Sequence, residues 1–97
     1  MEIINNYYES MFVVDVTDGE DAVKASVEKF VGLINNNAEI VYEVNEWGKR
    51  RLAYAINDKN EGYYVLVEFE SAPEFPAELD RIYRITDGVM RSLIIAK

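Results

Sequence analysis

Apolar residues recur in this 97-residue chain with two different periods, and the order of those periods limits the folds open to it. Tyr7 to Val14 is aromatic and β-branched and reads as a strand. It places Tyr8, Ser10, Phe12 and Val14 on one face and Tyr7, Glu9, Met11 and Val13 on the other. Asp15 to Gly19 breaks the pattern, and Thr17 with Glu20 three residues on forms a capping box that predicts a helix start. Val23, Val27, Phe30, Val31 and Ile34 then follow a helical spacing. Asn35-Asn36-Asn37 is expected to end the helix, because asparagine tolerates left-handed backbone.

Ala38 to Trp47 is a second strand of imperfect alternation, and Gly48 interrupts it as a bulge or sharp twist would. Arg51 to Ile56 continues extended, with Leu52, Tyr54 and Ile56 on one side. Asp58 to Gly62 reads as a turn, followed by a third strand from Tyr63 to Glu70. Its wholly apolar face is Tyr63, Val65, Val67 and Phe69, with Tyr64 and Leu66 opposite. Pro73 and Pro76 suit only the start of a helix, whose buried stripe is Phe75, Leu79, Ile82 and Tyr83. Asp87-Gly88 turns the chain into a last strand, Val89 to Ala96. The order β-α-β-β-α-β with right-handed crossovers predicts an α+β, ferredoxin-like sandwich: a four-stranded antiparallel sheet with both helices on one face. Residues 1–97 are read as one domain, with 1–6 as an N-terminal extension.

Composition narrows the function. The chain has neither Cys nor His, which removes thiolate nucleophiles, imidazole bases and most zinc or iron ligand sets. None of its 18 acidic residues falls in a D-x-D-x-D-G loop, and no Gly-rich phosphate loop is present. No metal, cofactor or small-molecule substrate is expected, and the balance moves from enzyme towards binding protein. No run reaches the roughly 20 apolar residues of a membrane span. Met1 to Asn6 lacks the features of a signal peptide, so the chain reads as cytoplasmic.

The formal net charge is -8, yet the cations are unevenly placed. Residues 1–23 have none, whereas Lys49, Arg50 and Arg51 are consecutive. Such a run is either an anion contact or a solvated edge paired with Glu43, Glu46 and Glu61, worth about 0–1 kcal/mol per exposed pair. Alternation along a strand prevents all three from pointing one way.

The segment Gly48-Lys49-Arg50-Arg51-Leu52-Ala53-Tyr54-Ala55-Ile56-Asn57 closely resembles the signature of the bacterial small-subunit ribosomal protein S6 family. Tyr8-Glu9, Asp15, Glu61-Gly62-Tyr63-Tyr64 and Arg84-Ile85 are similar to the same family, and the likeness runs from about Tyr8 to Lys97. The resemblance implies a structural ribosomal protein without catalysis. It would bind the central domain of the small-subunit rRNA together with a neighbouring protein, ribosomal protein S18. Three features depart from the family. Met1 to Tyr7 is longer than the family's start and lacks a cation, Ala55 stands where the family has Pro, and no charged tail follows Lys97. An N-terminal RNA contact and a tail function are therefore not expected here.

Under this resemblance the expected RNA-binding residues are Lys49, Arg50, Arg51, Arg84 and Arg91. Arginine suits phosphate through its planar fork of donors. Arg81 and Arg84 also have a local explanation, since cations favour a helix C-terminus. The uncovered sheet face would present Met11, Val13, Tyr64, Leu66, Leu93 and Ile95 as an apolar patch for the partner protein. Aromatic stacking on RNA is not expected, because no RNA-recognition motif is present. Two other classes remain open on the residues alone. One is a regulatory or small-molecule-binding domain that dimerises through its open sheet. The other is an acylphosphatase-like enzyme, which the acidic, cation-free loop from Asp15 to Gly19 disfavours.

Overall fold

A computed structural model describes residues 6–56 and 59–97, apart from the side chains of 52–60. Its elements are β1 (Asn6–Asp15), α1 (Glu20–Asn37), β2 (Ile40–Ile56), β3 (Lys59–Ser71), α2 (Glu74–Ile85) and β4 (Val89–Ala96). The strands form one antiparallel sheet in the order β2-β3-β1-β4, so β2 and β4 are its edges. This is the ferredoxin-like sandwich expected from the order of the periods.

Both helices lie on the face to which β1 turns Tyr8, Ser10, Phe12 and Val14 and β3 turns Val65, Val67 and Phe69, all of them buried. From α1 come Val23, Val27, Phe30 and Ile34, and from α2 come Phe75, Leu79 and Tyr83. Phe12, Phe30 and Tyr83 meet with ring centroids 4.8–5.3 Å apart, joining β1, α1 and α2 at one point. Such aromatic pairs contribute about 0.5–1.5 kcal/mol each beyond the area they bury. The Tyr83 hydroxyl is buried there and shares a 2.8 Å hydrogen bond with Ser10 Oγ. Burial pushes its pKa well above the usual tyrosine range.

Element boundaries differ from the sequence reading in four places. Thr17 does not cap α1: its N–H and hydroxyl both donate to Asp15 Oδ1, at 2.9 and 2.6 Å. This local turn takes the hydroxyl that a capping box would need, and Gly19 at φ 95° occupies the N-cap instead. Asn35, Asn36 and Asn37 lie within α1, where Asn37 Nδ2 donates to the Leu33 carbonyl. The helix is closed by Ala38, whose N–H reaches the Ile34 carbonyl at 2.7 Å in extended backbone. Strand β3 begins at Lys59, so most of the segment read as a turn is paired strand; Asn57 and Asp58 lie outside the described residues. Asn6 opens β1 rather than ending an extension, and residues 1–5 lie outside the description.

The Ser10–Tyr83 bond supports a prediction with a defined pH signature. Removing one partner leaves a buried polar group unpaired, so Tyr83→Phe and Ser10→Ala should each cost about 1–2 kcal/mol near pH 7, and the double variant less than their sum. Tyr83 has a higher pKa folded than its unfolded value of 10.0, so the folded state holds its proton more tightly. The stabilising proton is fully present below pH 10.0 and is lost as pH rises towards the folded value, so wild-type stability should fall there. The gap between wild type and Tyr83→Phe in urea titrations should therefore narrow above that pH; a constant gap would contradict the burial assigned to Tyr83.

Candidate functional site

The sheet face away from the helices is where the geometry concentrates its unusual features. Cross-strand register divides it into rows. One row is Glu43, Glu68, Glu9 and Ile95, from β2 to β4. The next is Asn45, Leu66, Met11 and Leu93, followed by Gly48, Tyr64, Val13 and Arg91. Beyond that, Arg50 lies opposite Gly62, which pairs with Asp15.

Strand β2 reaches this arrangement only through irregularities. Its register shifts between Val41 and Glu43 and again between Glu46 and Gly48, leaving Tyr42 and Trp47 as extra residues. Gly48 takes φ 83°, a left-handed geometry that a residue with a Cβ occupies at a cost of about 1–2 kcal/mol. Both extra residues are aromatic and turn to the open face. Trp47 lies almost parallel to Tyr64, with 6.4 Å between centroids and 10° between planes, and remains 47% exposed. Tyr42 packs on Tyr7 at 5.2 Å and donates to Glu70 Oε2. The accepting carboxylate favours the protonated phenol and raises the Tyr42 pKa.

Past the bulge, simple alternation separates the three consecutive cations. Lys49 and Arg51 lie opposite Tyr63 and Glu61, on the helix side, while Arg50 lies opposite Gly62 on the open side. Lys49 borders a cleft of about 690 Å³ between α1 and β2–β3, beside Val16, Val23, Val27 and Tyr63. Its ammonium pairs with Glu61 at 3.3 Å, and Glu46 accepts instead from the Tyr63 hydroxyl. Glu43 pairs with none of the three cations among the described residues. Arg84 is on α2, bonded to Asp80 at 3.0 Å, beside a groove along β4. Arg81 likewise pairs with Glu78, an i,i+3 contact that accounts for it locally. Arg50, Arg51 and Arg91 are exposed and have no ion pair among the described residues.

The five expected RNA-binding residues therefore do not form one patch. Lys49, Arg50 and Arg51 lie on one sheet edge, and Arg84 and Arg91 lie on or beside the other. Arg91 and Arg50 nevertheless share the open face and the same end of the sheet.

The six expected partner-contact residues fall on the open face, with one correction. Met11, Tyr64 and Leu66 are half-buried, and Leu93 and Ile95 are 50% and 45% exposed. Val13 is fully buried and offers no surface. Its Cγ1 fills the space a side chain at Gly62 would take, 2.3 Å from where a Cβ would stand, with Met90 Sδ alongside. Alternation gives direction but not this filling of a glycine gap by a neighbour. Sequence reasoning also missed Trp47, Tyr42 and Ile40, all exposed large apolar residues of β2. The imperfect alternation of that strand was their only signal, because each bulge reverses the phase.

Like charges directly opposite one another destabilise a sheet by roughly 0.2–1 kcal/mol per pair. Glu43, Glu68 and Glu9 create two such pairs. Lys97 Nζ offsets part of this at 2.9 Å from Glu9, and the Tyr7 hydroxyl is held against Glu68. Among the described residues no group of three or more His, Cys, Asp or Glu could hold a metal ion, and no helix is long and apolar enough to cross a membrane.

A four-stranded sandwich with one helix-free face that carries exposed aromatics, and arginines without ion pairs among the described residues, has the form of a macromolecule-binding module. Residues 7–96 match the family model described as Ribosomal protein S6, and the chain belongs to that family. It is 50% identical over 88 residues to the small ribosomal subunit protein bS6 of Clostridium novyi, covering 91% of this chain and 93% of that protein. The bS6 protein of Clostridium beijerinckii is 51% identical over the same shares. The crystal structure of 30S ribosomal protein S6 from Thermotoga maritima superposes with a TM-score of 0.88 at 27% identity, covering 97% of this chain and 89% of that one. The family is one of structural ribosomal proteins, and the chain is not an enzyme.

The Gly48 bulge gives a direct test. Gly48→Ala should lower the unfolding free energy by about 1–2 kcal/mol. It should also shift the emission of Trp47, the chain's one tryptophan, as the ring leaves Tyr64. Unchanged stability and emission together would show that the aromatic pair does not depend on this backbone geometry.

Proposed function

We propose that this chain is a structural component of the small ribosomal subunit, binding the central domain of the small-subunit rRNA together with ribosomal protein S18. The observation that carries the reading is the open face itself, which exposes Leu93 and Ile95 and carries arginines that have no ion pair among the described residues. On a protein of net charge -8, cations left without carboxylate partners mark where an anion is accommodated. Arg50, Arg51 and Arg91 are the principal phosphate contacts, and Lys49 and Arg84 contribute after release from Glu61 and Asp80. Both of these pairs are exposed, so exchanging the carboxylate for phosphate costs little.

The partner protein covers Met11, Tyr64, Leu66, Leu93 and Ile95, with Val13 supporting them from beneath. Association with a second surface is the ordinary reason for a soluble domain to leave such residues in water. RNA and protein thus share the chain, with RNA at the end of the sheet that carries Arg50 and Arg91.

Titration with an rRNA central-domain fragment tests the phosphate contacts. Complex formation with S18 present should weaken as salt rises. Replacing Arg50, Arg51 and Arg91 with Ala should leave the melting curve close to wild type, since these exposed residues have no ion pair to lose among the described residues. The same variant should reduce the slope of log affinity against log salt by up to about 3 in magnitude. A salt slope identical to wild type would remove these three residues from the RNA interface.

A further inference from the structure

We infer that the open face seats a cationic, amphipathic segment of the protein partner in one orientation, with the segment's basic residues against Glu9, Glu43 and Glu68 and its apolar residues on Leu66, Met11, Leu93 and Ile95. This rests on the reading that the open face is the partner surface, and it adds the chemistry and polarity of what binds there. The face is graded along the strands. At one end lie Glu9, Glu43, Glu68 and Glu70, with Lys97 the cation bonded among them. The middle row is Asn45, Leu66, Met11 and Leu93, and the far end carries Arg91 and Arg50. The glutamate row and the Arg91 row are four residues apart on β3, or roughly 13 Å, so one short segment meets both.

The carboxylate end repels phosphate, which leaves a basic protein segment as its complement. The same repulsion acts against a second copy of this chain seated face to face with its strands running the same way, because the two carboxylate ends would then meet. Three glutamates placed in one cross-strand row work against the sheet. A cationic partner relieves that repulsion only on binding, so the row couples stability of the free chain inversely to affinity.

The inverse coupling is the test, with purified ribosomal protein S18 as the probe and calorimetric titration at several salt concentrations. Glu43→Gln/Glu68→Gln keeps the Glu9–Lys97 pair and removes the repulsion. The free variant should melt a few degrees higher than wild type. Its affinity for S18 should fall about tenfold at low salt, with a shallower salt dependence. Affinity within twofold of wild type would overturn the inference, as would self-association of the variant without loss of S18 binding. Leu93→Ser/Ile95→Ser separates this from the underlying reading. If that variant loses S18 and the glutamine variant does not, the face is the interface but its polarity is wrong. If neither loses S18, the face is not the interface.

Discussion

The contact on which the rest of the structure depends is the meeting of Phe12, Phe30 and Tyr83. Each ring comes from a different element, and the three share one site on the helix side of β1. Because α1 and α2 are both committed there, neither is available to cover the opposite face. The Ser10–Tyr83 hydrogen bond makes the site more exacting than an all-apolar one. The open face is thus a consequence of where the core is, and its exposed residues follow from the helix packing.

The second determinant is the irregularity of β2. A regular strand would point Tyr42 and Trp47 by simple alternation and would set Lys49 to Arg51 in a fixed phase with the residues before them. Two register shifts turn both aromatics to the open face and reset the phase of everything after Gly48. Arg50 consequently shares a face with Arg91 across the sheet, while Lys49 and Arg51 face the α1 side. An edge strand tolerates such bulges because only one neighbour must keep its hydrogen bonds. The three cations also guard this edge against pairing with another strand.

The strands β1 and β3 were legible in sequence because their alternation is unbroken, whereas β4 is apolar on both sides and slips its register against β1 at Met90. Tyr8, Ser10, Phe12, Val65, Val67 and Phe69 all lie on the side that alternation assigns. The stripe of α2 was equally plain from Phe75, Leu79 and Tyr83. What could not be read depended on contacts between distant residues. The Thr17 capping box failed because Asp15 competes for the same hydroxyl. The burial of Val13 depends on Gly62, 49 positions away in the chain and adjacent only once β1 pairs with β3. The row of glutamates needs two registers at once, and no single strand contains more of it than one residue.

These same registers bear on how an acidic protein could accept the anionic partner proposed for it. Net charge is a poor guide when charge is segregated, since salt screens fields beyond about 8 Å. On the open face the row of Glu9, Glu43 and Glu68 lies about 13 Å along the strands from the row of Arg91, farther than that length. Phosphate approaching Arg50 and Arg91 would therefore meet little repulsion from the glutamate end. A cationic protein segment at that end would answer the carboxylates without competing with the arginines for phosphate. Screening thus lets one face hold two surfaces of opposite sign that act independently of each other.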